Sequence, residues 1–301
     1  MQLEGVIAAL TTPFAGDGSV DRAHLRSNVE KYNSTALSGY VAVGSTGEAA
    51  FLSLEEAELV WATVIEHAAA SKIVIAGTGA EGTAETIDRT RRAAALGYKM
   101  ALVRTPSYYK PMLTSEVIYE HYRRVADASP IPILIYSIPQ FTGVTVAPET
   151  VARLAEHKNI AGIKDSSGIV ERAAEAVRLT PKDFTVLVGS PAILADAMEV
   201  GARGGIIALA SPLPDWCARI YSLFKEGDVA GATAVQEKLK PASKRIGSEL
   251  GIPATKYAVD QAGYFGGAPR LPLLPLTVEQ GREVDEILAS LKASAPQPPG
   301  Q

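Results

Sequence analysis

Ile160-Ala161-Gly162-Ile163-Lys164-Asp165-Ser166-Ser167-Gly168 carries the pattern that decides the fold. A short apolar run with no polar alternation meets a lysine and breaks into a polar turn. A run this short and apolar on both faces suits a parallel strand covered on both sides. The same kind of run recurs at residues 6–10, 40–43, 73–76, 101–103, 133–136, 184–188 and 205–209, which with 160–163 makes eight. Longer segments of helical period lie between them.

Those segments carry their own signals. Ser53 and Glu56 have capping-box spacing, and Ala57, Val60, Trp61, Val64 and Ile65 continue as one apolar stripe. Thr83 opens the next helix and Gly97 closes it. Pro148 suits a first helical turn, where its missing N–H costs nothing. Gly39 and Gly201 stand where helices should stop before strands. Eight strand–helix alternations favour a (β/α)8 TIM barrel over an open doubly wound sheet, and no Gly-x-Gly-x-x-Gly turn follows the first strand. The barrel should occupy residues 1–225. Helices expected at about 229–248, 253–261 and 277–291 would form a C-terminal helical appendage, 226–293. Residues 294–301, rich in Pro, Ala and Gln, read as a flexible tail.

The bulk properties narrow the partners. The chain has 301 residues and a formal net charge of -4, which gives no electrostatic reason for nucleic acid or an anionic membrane. Arg89, Arg91 and Arg92 fit a solvated helix face. No apolar stretch approaches the roughly 18 residues of a membrane span, and the first residues lack the features of a signal peptide. With Cys217 alone, no intrachain disulfide forms, in keeping with a cytoplasmic setting.

Catalytic groups of such barrels gather at the C-terminal ends of the strands. Lys164 ends the sixth run, where desolvation in a barrel mouth would favour a neutral, nucleophilic amine able to form a Schiff base. From position alone, snorkelling to solvent or pairing with Asp165 accounts for it more simply, so the catalytic reading needs neighbouring groups. Tyr136 ends the neighbouring run, where a phenol can move protons or simply pack. Gly44-Ser45-Thr46-Gly47-Glu48 follows the second run, and its hydroxyls and amides can hold a small carboxylate or make only a tight turn that Glu48 anchors. Tyr108 and Tyr109 suit an interface, a pocket rim or an ordinary loop. The histidines His24, His67, His121 and His157 fall in expected helices without metal-binding spacing, so no metal site is expected.

Taken together, Gly44-Ser45-Thr46-Gly47-Glu48, Tyr136-Ser137-Ile138-Pro139 with Thr142-Gly143, and Gly162-Ile163-Lys164-Asp165-Ser166 resemble the dihydrodipicolinate synthase / N-acetylneuraminate lyase superfamily. Within it, Tyr136-Ser137-Ile138-Pro139, Gly251-Ile252-Pro253 and Tyr264-Phe265-Gly266-Gly267 look most like the 4-hydroxy-2-oxoglutarate aldolase branch. The resemblance implies Lys164 as the Schiff-base lysine, Tyr136 as general acid/base and Ser45 as a proton-relay hydroxyl. It implies Thr46 as a ligand of the pyruvate carboxylate, and Tyr109 as a residue reaching across a dimer interface. Ser166, Gly189 and Ile207 would line the substrate pocket. No cofactor is implied beyond the covalent Schiff base. A small 2-oxo acid and a homo-oligomer built as a dimer of dimers are implied as partners.

One departure bears on the substrate. The superfamily's dihydrodipicolinate synthases carry an arginine where this chain has Phe141, and Phe141 cannot pair with a carboxylate. On this ground the expected reaction is cleavage of 4-hydroxy-2-oxoglutarate to pyruvate and glyoxylate. The alternatives are condensation of pyruvate with aspartate semialdehyde, with Arg104 or another group replacing the arginine, and a non-enzymatic barrel that binds small carboxylates.

Overall fold

The computed structural model describes residues 3–293; the tail expected at 294–301 lies outside them. Eight parallel strands close into a barrel in sequence order. The first half runs β1 (Gly5–Ala9), α1 (Arg22–Asn33), β2 (Gly39–Ala42), α2 (Leu54–His67), β3 (Ile73–Gly77), α3 (Thr83–Ala95), β4 (Ala101–Arg104) and α4 (Ser115–Ala128). The second half runs β5 (Ile133–Ser137), the short α5 (Pro139–Thr142), α6 (Pro148–Ala155), β6 (Ile160–Asp165), α7 (Val170–Leu179), β7 (Thr185–Val188), α8 (Leu194–Glu199), β8 (Gly204–Ile207) and α9 (Pro214–Lys225). Then follow α10 (Val229–Ala242), α11 (Gly251–Gln261) and α12 (Val278–Ala293).

Strand alternation divides the core in two. Ile7, Val41, Ile75, Leu102, Leu134, Leu187 and Ile206 fill the barrel, with Tyr136 in the same cluster. The intervening residues, such as Ala8, Tyr40, Val103, Ile135, Ile163 and Val186, pack against the helices. This explains why the runs show no polar alternation: both strand faces are dry.

Local chemistry sets the helix ends. The Ser53–Glu56 capping box is present in both directions. Pro148 occupies the first turn of α6, and Gly201, with φ +103°, follows α8. Gly39 plays another part than expected. Helix α1 already ends at Asn33, and a Cβ on Gly39 would lie 1.9 Å from the Ile73 carbonyl oxygen, so this glycine permits close strand approach instead. His157 lies just beyond α6 rather than in a helix.

The segment expected as one helix over 229–248 is divided. After Pro241, whose ring nitrogen cannot donate to the preceding turn, the chain widens into a π-helical stretch, Ser243–Glu249. A bond from the Leu250 amide to the Arg245 carbonyl, 3.0 Å, closes that stretch before α11 begins.

Candidate active site

Strand register brings the two leading candidates together. Tyr136 on β5 pairs with Lys164 on β6, so both project into the C-terminal mouth of the barrel. Lys164 Nζ lies 4.0 Å from the centre of the Tyr136 ring, and both residues are buried. The alternative pairing of Lys164 with Asp165 is absent. One position along the strand, Asp165 points to the opposite face, where Arg172 Nε contacts it at 3.3 Å and the Ser167 amide donates to it at 2.8 Å. Among the described residues no carboxylate pairs with Lys164.

The turn after β2 is held under strain. Val43 has φ 60° and Glu48 has φ 58°, the left-handed region that a β-branched residue rarely enters. Such conformations cost about 1–3 kcal/mol and persist only where the surroundings fix them. Here they are fixed from two sides. Gly77 leaves room for the Val43 carbonyl, which would sit 2.0 Å from any Cβ there. Glu48 is fully buried, and its carboxylate accepts from Lys256 Nζ at 2.8 Å and from the Arg270 amide at 2.7 Å. Lys256 also donates to the Thr12 carbonyl at 2.9 Å. Burial lowers the Lys256 pKa, and the facing Glu48 carboxylate opposes that shift. Between Val43 and Glu48, Ser45, Thr46 and Gly47 form a single 3-10 turn at the cavity wall.

The cavity holds about 270 Å³. Ser45, Thr46, Tyr136, Phe141, Lys164, Ser166 and Gly189 all line it, joining four strand ends. Among the described residues, the Lys164 amine, the Tyr136 phenol and the Ser45 and Thr46 hydroxyls have no side-chain hydrogen-bond partner. Four polar groups, from two strand ends and one turn, therefore converge with their bonding capacity unspent. Gly189 has a local reason: a Cβ there would lie 2.0 Å from Ser166 Oγ.

Ile207 lies away from the cavity, and Tyr109 stands outside it, as a residue meant for a second copy of the chain would. Ile207 is fully buried in the layer between barrel and helices, because alternation along β8 turns Ile206 inward and Ile207 outward. Ala208 and Leu209, just past the strand, line the cavity instead. Tyr109 is 71% exposed and does not line the cavity of its own chain. Its loop is clamped by Glu81, which accepts from the Ser107 and Tyr108 amides at 2.8 and 2.9 Å and from Arg104 at 2.8 Å. Burial disfavours the Glu81 carboxylate, yet these bonds outweigh it and bring its pKa to about 2. Arg104 is thus committed to Glu81 and does not replace the missing arginine of the cavity.

Sequence reasoning missed the outer wall. Ser190, Ser243, Gly247, Ser248, Ile252 and Thr255 line the cavity from the loop after β7, the π-helical stretch and α11. Nothing local marks them, since their position depends on packing between elements far apart in sequence. Among the described residues no three His, Cys, Asp or Glu side chains are grouped to hold a metal ion. No helix among them is long and apolar enough to cross a membrane.

Residues 2–291 match the dihydrodipicolinate synthetase family. The chain belongs to that family. It is therefore a class I Schiff-base enzyme of the dihydrodipicolinate synthase superfamily, which excludes a non-enzymatic carboxylate-binding barrel. One relative, the 4-hydroxy-tetrahydrodipicolinate synthase of Xanthomonas axonopodis pv. citri, is 39% identical over 289 residues, 96% of this chain and 95% of that protein. The enzyme of the same name from Methanothrix thermoacetophila is 36% identical over 288 residues, covering 95% and 96%. The fold superposes on the chloride-inhibited dihydrodipicolinate synthase of Acinetobacter baumannii, complexed with pyruvate. The TM-score is 0.92 with 33% identity, over 97% of this chain and 99% of that one.

These relatives overturn the expected cleavage of 4-hydroxy-2-oxoglutarate. Similarity over nearly the whole chain runs to proteins called 4-hydroxy-tetrahydrodipicolinate synthase, the alternative reading. The aldolase expectation rested heavily on position 141. Phe141 is 60% exposed at the cavity rim, where one side chain does not decide which reaction the buried centre performs.

Proposed function

We propose that this enzyme condenses pyruvate with aspartate semialdehyde to 4-hydroxy-tetrahydrodipicolinate. The observation that carries the proposal is the similarity, over nearly the whole chain, to 4-hydroxy-tetrahydrodipicolinate synthases. The buried Lys164 amine set against the Tyr136 ring, with no carboxylate partner among the described residues, supports its pyruvate half.

Lys164 attacks C2 of pyruvate, and water leaves to give a protonated imine. The imine draws electrons from C3, whose methyl group loses a proton to form an enamine. That carbon attacks the aldehyde of the second substrate, forming one C–C bond, and the resulting alkoxide takes a proton. The substrate amine then attacks C2 and displaces Lys164, closing the ring. The balance is one water released per condensation.

Tyr136 and Ser45 would pass the protons of imine formation and alkoxide capture, and Thr46 with the turn amides would hold the pyruvate carboxylate. Tyr109 would complete the relay from a second copy of the chain. Its exposure, beside the exposed Tyr108 and Met112, supports a contact with that second copy in a homo-oligomer, for which the assembly proposed is a dimer of dimers. Residues 1–225 would form the catalytic barrel and 226–293 a helical region that supplies part of the cavity wall.

Borohydride reduction in the presence of pyruvate, followed by peptide mapping, tests the centre. A pyruvyl adduct on Lys164 is expected, and absence of any adduct there refutes it. Turnover with pyruvate and aspartate semialdehyde tests the reaction; lack of condensation despite trapping rejects the assigned second substrate.

A further inference from the structure

The cavity has two chemically different halves. Lys164 is the one basic side chain among its lining residues; the far wall carries the hydroxyls of Ser190, Ser243, Ser248 and Thr255 beside Pro191 and Ile252. Ser190 Oγ and Ser243 Oγ lie 3.1 Å apart, and Ser190 Oγ also accepts the Ala192 amide at 3.2 Å. Ser243 is buried at the start of the π-helical stretch, whose widened turn brings Ser243, Gly247 and Ser248 to the same wall.

Each serine hydroxyl has one donor and two acceptor sites. One of the two hydroxyl protons is spent between the partners, whichever donates. The Ala192 amide occupies one acceptor site of Ser190. One hydroxyl proton therefore remains for a ligand in either arrangement, together with acceptor sites on Ser243. Ser248 Oγ donates to the Ser243 carbonyl at 3.3 Å and so presents only acceptor sites outward. A wall with one free donor beside several acceptors matches a terminus carrying both a carboxylate and an ammonium group.

We propose that Ser190 and Ser243, with Ser248 at the rim, bind the amino-acid end of the second substrate, in place of the cation missing at Phe141. This rests on the assignment of aspartate semialdehyde above. The Ser190–Ser243 pair determines specificity and takes no part in imine formation.

The test uses the full-length enzyme with pyruvate saturating and aspartate semialdehyde varied, for Ser190→Ala, Ser243→Ala and the double variant. A lost hydrogen bond to a charged group corresponds to roughly a tenfold or larger change in binding. The KM for the aldehyde should rise about tenfold, while the pyruvate KM and the rate of borohydride trapping stay as in the wild type. Ser243→Thr, which keeps the hydroxyl, should recover most of the loss. Succinate semialdehyde, which lacks the amine, should bind worse than aspartate semialdehyde in the wild type, and the gap should narrow in the variants. Trapping with an unchanged aldehyde KM in Ser190→Ala and the double variant overturns the subsite alone. An equal rise in both KM values, or a loss that Ser243→Thr does not recover, also overturns it by revealing a structural role. No trapping or no condensation in the wild type removes the underlying reaction and the subsite with it.

Discussion

Replacing Lys256 with methionine removes the counter-charge from Glu48 while keeping the side chain long and apolar. Both members of this ion pair are wholly inaccessible to solvent, with a 2.8 Å contact between them. Breaking such a pair from one side costs about 3–5 kcal/mol, because the remaining charge stays buried and unpaired. An unfolding entropy of about 2.1 cal/mol/K per residue gives roughly 0.6 kcal/mol/K for a chain of this length. The midpoint of thermal unfolding should therefore fall by about 5–8 °C in Lys256→Met, read by calorimetry at a fixed scan rate. The double variant Glu48→Gln/Lys256→Met leaves no buried charge and should regain most of that loss. The same pair fixes the strained turn that carries Ser45 and Thr46, so Lys256→Met should also raise the KM for pyruvate. A midpoint within about 2 °C of the wild type, or a double variant no more stable than the single one, would refute the role given to this pair.

Three further outcomes are expected. Glu81 has a pKa of about 2, below the ordinary 4.5, so its clamp on the loop after β4 is complete above pH 4.5 and is lost as pH falls toward 2. Amide exchange at Ser107 and Tyr108 should lose protection across that window, and Glu81→Gln should show the loss at neutral pH; protection unchanged in that variant counts against the clamp. His121 is held to about 4 by burial, with the Arg104 charge adding to it, so the unfolded chain takes up its proton first as pH falls. Its neutral burial should cost about 3 kcal/mol of stability as pH falls from 6.5 to 4, and His121→Gln should flatten that slope in urea titrations. Phe141→Arg places a guanidinium at the cavity rim and should lower the KM for aspartate semialdehyde several-fold without moving that for pyruvate. A rise in the pyruvate KM would show that the rim reaches the imine half of the site.

The eight strands, the barrel and most helix ends were legible in the chain because they rest on local physics. Apolar runs covered on both faces, a capping box at Ser53 and Glu56, and prolines in first turns each act within a few residues. Lys164 and Tyr136 were legible for a related reason: each ends a strand, and strand ends in a barrel share one mouth. What the sequence could not show depends on where distant segments meet. Alternation along β8 sent Ile207 outward and left Ala208 and Leu209 at the cavity, a matter of one residue in the strand's phase. Ser190 and Ser243 are 53 positions apart, and Glu48 and Lys256 are 208 apart; neither pair exists until the barrel closes and the π-helical stretch and α11 pack on its mouth. Periodicity thus determined the scaffold and the strand end on which Lys164 stands. Only tertiary packing decided the strain around Ser45 and the hydroxyl wall facing Lys164, because both arise from contacts that no local pattern encodes.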